Sequence, residues 1–102
     1  MSEAETATAV RVRWRELVGK RLPRAAATRP DWPVKEDHCF ARILLDNACG
    51  RPWREVIQSP AWREAPPDLL REACTMGEAV LDGAANLGAL NRRSLAVRGK
   101  LP

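Results

Sequence analysis

The chain of 102 residues has no tyrosine, one phenylalanine, one histidine and only three cysteines. No two cysteines form a Cys-x-x-Cys pair, and zinc sites commonly use four ligands at such spacings. We therefore predict no metal site and no cofactor. No apolar run approaches the roughly 18 residues that span a membrane. Because the cysteine count is odd and no secretory signal is visible, we expect a cytoplasmic protein with reduced thiols.

Alternation of apolar and polar residues, the pattern of a half-buried strand, is also absent. Apolar residues instead recur at helical spacing, in stretches separated by prolines. The spacing predicts helices over about 8–22, 36–49, 66–83 and 86–98, and a short one over 51–57. The sequence therefore predicts an all-α single domain at 8–98, a small bundle of four to five helices. Residues 1–7 are expected to be a disordered N-terminal segment and residues 99–102 a tail.

The helix predicted at 36–49 is apolar around most of its circumference, which indicates that the other helices pack around it. Asp37 is its expected N-cap, and Gly50 its expected end. Its polar residues are His38, Arg42 and Asp46, spaced four apart. This stripe is either a solvated edge with an Arg42–Asp46 ion pair or a polar site. In the second case it would need partners from elsewhere, such as residues 86–91.

Three residues of this helix are candidates for catalysis: His38, Cys39 and Asp46. A cysteine in the first turn of a helix gains thiolate character from the helix dipole. Cys39, however, shares the apolar face with Phe40, and His38 points about 100° away from it. We therefore commit to no catalytic residue and favour a protein that is not an enzyme.

The net charge of +4 is concentrated at the two ends of the chain. Residues 1–35 carry eight basic and four acidic residues, and residues 86–102 carry four basic residues and no acidic one. This distribution indicates either a solvated surface of mixed charge or a basic patch that attracts phosphate or an acidic partner. The candidate binding residues of this patch are Arg11, Arg15, Arg92, Arg93 and Arg98.

Four tryptophans are many for a chain of this length. Trp14 fits the apolar face of the first helix, whereas Trp32, Trp53 and Trp62 lie beside prolines at loops or helix starts. Each of these three is either a plug over the edge of the core or an anchor for a partner, since tryptophan is enriched at binding hot spots.

Together these features predict a small non-enzymatic binding or regulatory module. Its surface of arginine and tryptophan residues, with Arg42 as a further candidate, would contact an acidic protein partner or nucleic acid, and not a membrane. A homodimer is an assembly that we also consider. The alternative is a small enzyme or ligand-binding protein that uses His38, Arg42 and Asp46, at a dimer interface or within one chain.

Overall fold

The computed structural model describes residues 5–100, and within that range the chain contains helices and no strand. The all-α fold predicted from the sequence is confirmed. The expectations for residues 1–4 and 101–102 lie outside the described residues. Residues 5–7 belong to the fold, because the Thr6 side chain accepts a hydrogen bond from Ala9 N at 3.0 Å and Glu5 pairs with Arg13. No described helix is long and apolar enough to cross a membrane.

The helices follow the predicted order with different bounds. They are α1 (Ala7–Glu16), a π-helical segment (Leu17–Arg21), α2 (Leu22–Ala26), α3 (Asp37–Cys49), a 3-10 turn (Trp53–Glu55), α4 (Ala61–Glu64), α5 (Pro67–Leu81) and α6 (Leu87–Val97). Because α1, the π-helical segment and α2 follow one another without a break, they form one helix over 7–26. With α3 to α6, this gives five helices.

The first helix runs past Pro23, although the sequence predicts an end or a kink there. Proline has no N–H, and its ring clashes with the carbonyl four residues earlier. The π-helical segment precedes it directly, and in this wider turn the N–H of Leu22 reaches the carbonyl of Leu17. A π-helical turn shifts the hydrogen-bond register by one residue. The proline is thus accommodated, and the helix ends at Ala26.

Helix α3 is central, as predicted. It packs against α2, the π-helical segment, the 3-10 turn, α5 and α6. Phe40, Ile43, Leu44 and Leu45 are fully buried. The N-cap is Glu36 rather than Asp37, and Gly50 ends the helix at φ 73°, a conformation that glycine adopts at little cost.

Helix α5 contains Gly77, where the sequence predicts the close approach of another helix. A Cβ atom at this position would lie 2.7 Å from Leu17 Cδ2 and 3.0 Å from Leu44 Cδ1. The close approach is therefore present, but it is made by leucine side chains rather than by a helix backbone. It joins α5 to both the first helix and α3.

Three local features differ from what the sequence pattern indicates. The spacing of Trp53, Val56 and Ile57 indicates one helical face, but the 3-10 turn ends at Glu55 and Val56 is 49% exposed. The prolines at 60, 66 and 67 indicate an irregular stretch, yet 60–67 contains α4. In α6, Val97 is exposed and Ser94 is buried in its place, because Ser94 faces α3 and forms hydrogen bonds with it.

Candidate functional site

Asp46 lies on α3 at 1% exposure, and its carboxylate is held by this chain alone. Oδ2 accepts hydrogen bonds from Ser94 Oγ at 2.6 Å and from Arg98 Nε at 2.5 Å. Oδ1 accepts from Arg98 Nη2 and from the backbone N–H of Trp53, both at 2.9 Å. An ionised carboxylate has about four acceptor positions. All four are therefore occupied by donors from α6 and the 3-10 turn.

Arg42 belongs to the same contact between α3 and α6. Its Nη1 donates to Ser94 Oγ at 2.7 Å, and its Nη2 donates to Asn91 Oδ1 at 2.9 Å. The Ser94 hydroxyl thus accepts from Arg42 and donates to Asp46. We call these five residues the Asp46 network: Arg42, Asp46, Asn91, Ser94 and Arg98. Arg42 and Asp46 are connected through Ser94 and form no direct ion pair in the described chain, so the solvated pair considered from the sequence is not what the structure contains.

The charge of Asp46 is stabilised inside the network. Burial raises the pKa of this carboxyl group, but hydrogen bonds from Arg98, Ser94 and the Trp53 backbone, together with the charge of Arg98, outweigh burial. The pKa of Asp46 therefore lies below its ordinary value. The same contact raises the pKa of Arg98. A carboxylate that is ionised, buried and fully hydrogen-bonded is a structural group and has no free position for a substrate proton.

His38, the first residue of the sequence stripe, lies apart from the network. Its side chain is 71% exposed, and Nδ1 lies 3.5 Å from a carboxylate oxygen of Glu36 and 3.5 Å from one of Asp37. The three residues of the stripe thus lie in two environments. His38 is in the solvent-exposed first turn of α3, whereas Arg42 and Asp46, one and two turns later, belong to the buried polar contact with α6.

Burial disfavours the thiolate form at two of the three cysteines. Cys39 and Cys49 are half-buried, and Cys74 is buried. Burial raises the pKa of the Cys49 thiol, and it raises that of Cys74 to about 11. Both thiols are therefore protonated at neutral pH, and the thiolate is the reactive form. Within residues 5–100, no cluster of three or more His, Cys, Asp or Glu side chains could hold a metal ion.

A shallow groove of about 350 Å³ opens on the other side of α3. We call it the Trp62 groove. It lies between the first helix, the start of α3 and α4, and is lined by Trp14, Arg15, Val18, Gly19, Asp37, His38, Ala41 and Trp62. Trp62 is 37% exposed, and Arg15 Cζ lies 4.6 Å from the centroid of its ring. The groove thus combines an accessible aromatic surface with a guanidinium group at its edge.

The other two candidate tryptophans pack against the core. Trp32 meets Phe40 edge to face with centroids 5.8 Å apart, and Arg29 lies 4.9 Å from its ring. Trp53 is half-buried against the core, with Arg54 at 5.0 Å from its ring. Of the three, Trp62 is the one that the structure leaves exposed.

The basic residues of the two ends pack against different helices. Helix α1 packs against α4 and α5, whereas α6 packs against α3. Three cations of the first helix (7–26) have carboxylate partners: Arg13 with Glu5 and Glu78, Lys20 with Glu16, and Arg21 with Glu78. Arg98 is held by Asp46. Among residues 5–100, the candidate cations without such a partner are Arg11, Arg15, Arg92 and Arg93; Arg11 Nε is also buried without an acceptor.

Ser94 was not among the candidates from the sequence, whereas Asn91 lies within the 86–91 stretch considered there as a source of partners for the polar stripe. They follow Leu87 and Leu90 at helical spacing, so they lie on the buried face of α6, where a polar residue needs a partner. This pattern was the available signal.

Comparisons of the chain with protein-family models, curated proteins and solved structures find no match.

Proposed function

We propose that the protein is a non-enzymatic binding module, and that the Trp62 groove holds a segment of an acidic protein partner. The observation that carries this proposal is the pairing of an exposed Trp62 with Arg15, a guanidinium that has no carboxylate partner among residues 5–100. Tryptophan and arginine are the residue types most enriched at binding hot spots.

The groove favours an apolar anchor flanked by an acidic group. Its apolar lining includes Trp14 and Val18, which are buried, and Trp62, which is exposed. An apolar side chain placed there would remove the exposed surface of Trp62 from water. At the α1 edge, Arg15 can donate to a carboxylate and keep its stacking on Trp62.

A protein partner is favoured over nucleic acid by the distribution of charge. Affinity for nucleic acid comes from several free cations that follow successive phosphates. On the first helix, Arg13, Lys20 and Arg21 have carboxylate partners within the chain. Arg92 and Arg93 lie on α6, which packs against a different helix from α1. One free guanidinium beside an apolar groove fits a carboxylate better than a phosphate backbone.

The alternative, an enzyme that uses His38, Arg42 and Asp46, receives no support from the geometry. His38 lines the Trp62 groove, whereas Asp46 is buried and hydrogen-bonded to α6 and the 3-10 turn. An acid and a base that act on one substrate must both reach it.

The proposal is tested by selecting a displayed library of random peptides on the immobilised protein. We expect enrichment of peptides that join an apolar residue to Asp or Glu, and loss of this enrichment on the W62A variant. V56A is the matched control, since Val56 is an exposed apolar residue of the 50–60 loop, and it should enrich the same peptides as the wild type.

Two results would overturn the proposal. One is identical enrichment on W62A and on the wild type, because the groove would then have no role. The other is salt-sensitive binding to duplex DNA that W62A retains and a double variant of Arg92 and Arg93 to glutamine loses. That outcome would assign the function to the basic face of α6.

A further inference from the structure

We infer that the bound segment crosses the first helix at Gly19 and extends from the Trp62 groove into a second depression on the far side of that helix. This inference rests on the proposed function and specifies how the acidic segment lies. It is carried by two observations: the two depressions share a boundary, and a glycine stands on it.

The second depression is also about 350 Å³ and is lined by Val12, Arg15, Glu16, Gly19 and Lys20. Arg15 and Gly19 therefore belong to both depressions. Val12 is 63% exposed, so the second depression, like the first, offers accessible apolar surface. Together they form one shallow path across the helix that passes Arg15 and Gly19.

No steric contact within the described chain requires glycine at position 19. A Cβ atom there would meet no atom within 4 Å, and its φ is not in the left-handed region. At Gly77, by contrast, a Cβ atom would lie 2.7 Å from a leucine side chain. A glycine inside a helix costs about 1 kcal/mol of stability relative to alanine. The missing side chain leaves the boundary between the two depressions open to the close approach of a second backbone from outside.

The charges set the orientation of the segment. Asp37 lines the edge of the Trp62 groove opposite Arg15, so carboxylates of the segment should lie on the α1 side. Beyond Gly19, Lys20 is paired with Glu16 at 3.7 Å, so Arg15 is the cation along this path that has no carboxylate partner among residues 5–100. The occupant is thus an acidic segment with its apolar anchor at Trp62 and a carboxylate over Arg15.

The test uses a peptide enriched in the selection above, labelled with fluorescein and titrated by fluorescence anisotropy. The G19L variant should bind it at least tenfold more weakly, because the leucine would occupy the path; tenfold corresponds to about 1.4 kcal/mol. W62A should weaken binding by about thirtyfold, as expected for a hot-spot tryptophan. The control is A96L, a leucine at an exposed position of α6, which should bind as the wild type does.

Urea unfolding of each variant separates loss of binding from loss of fold. G19L should be at least as stable as the wild type, since leucine has a higher helix propensity than glycine. If W62A loses binding and G19L does not, the crossing at Gly19 is overturned while the proposed function stands. If neither variant loses binding, both are overturned. Self-association in sedimentation that W62A abolishes would identify a second copy of the chain as occupant, which also overturns the acidic segment.

Discussion

The Asp46 network and the Trp62 groove both place an arginine beside a residue that attracts it, and both include part of α3. They differ in whether the chain itself supplies the hydrogen-bond or ion-pair partners of the charged groups. In the network, the carboxylate of Asp46 accepts four hydrogen bonds from Ser94, Arg98 and the Trp53 backbone. In the groove, Arg15 stacks on Trp62 and has no carboxylate partner among residues 5–100.

This difference separates the structural role of the network from the binding role that we propose for the groove. Buried polar groups are almost always hydrogen-bonded, because an unpaired one costs free energy. Asp46 meets that requirement internally, so it holds α6 and the 3-10 turn on α3. Arg15 and the exposed face of Trp62 are open to solvent and stay available. Regular spacing of polar residues on one helix therefore does not show that they form one site, because their surroundings can differ.

The largest expected effect comes from replacing Asp46 by alanine. The change would leave Arg98 and Ser94 without their acceptor in a buried contact, and removing one partner of a buried ion pair typically costs about 3–5 kcal/mol. We expect D46A to lower the free energy of unfolding by that amount, measured by urea denaturation. The matched control is D31A, since Asp31 is an exposed loop residue, with an expected change of less than about 0.5 kcal/mol. Equal stability of the two variants would contradict a structural role for the network.

A smaller effect is expected from pH. The pKa of Asp46 is lowered in the folded protein, so its ionised form stabilises the fold at pH values above the unfolded-state pKa of about 3.9. This stability is lost as the pH falls through the lower, folded-state pKa. The D46N variant lacks the titrating group. The difference in unfolding free energy between wild type and D46N should therefore be constant above about pH 5 and should shrink below about pH 4.

The comparison also removes the contribution of Glu5, whose pKa is lowered by its hydrogen bond to Arg13, because Glu5 is present in both proteins. A difference between wild type and D46N that stays constant down to about pH 3 would show that the charge of Asp46 contributes nothing to the fold.

The sequence was sufficient for the architecture. The apolar pattern of 36–49 predicts a central helix, Gly50 its end, and Gly77 a close contact. Each of these follows from local chemistry: helical periodicity, the left-handed conformation of glycine, or the absence of a side chain.

The sequence could not predict which residues of different helices are in contact. Arg42 and Asp46 look like an ion pair on one helix, and only the position of Ser94 in α6 shows that a hydroxyl connects them. In the same way, α4 is a single turn that places Trp62 next to Arg15. The position of α4 depends on its packing against α1. Such contacts between distant segments depend on the tertiary fold and have no local signature.

The smallest effect on stability should come from Arg15, and it gives the sharpest comparison with Arg42. Replacing Arg15 by glutamine removes an exposed cation stacked on a ring, so the unfolding free energy should change by less than about 0.5 kcal/mol. The same change at Arg42 removes hydrogen bonds to Ser94 and Asn91 and should cost about 1–3 kcal/mol. For the selected acidic peptide the order should reverse: R15Q should bind about tenfold more weakly, while R42Q should bind as the wild type does once its folded fraction is taken into account. Since each variant removes one guanidinium, equal effects on both measurements would mean that the network and the groove do not differ in role.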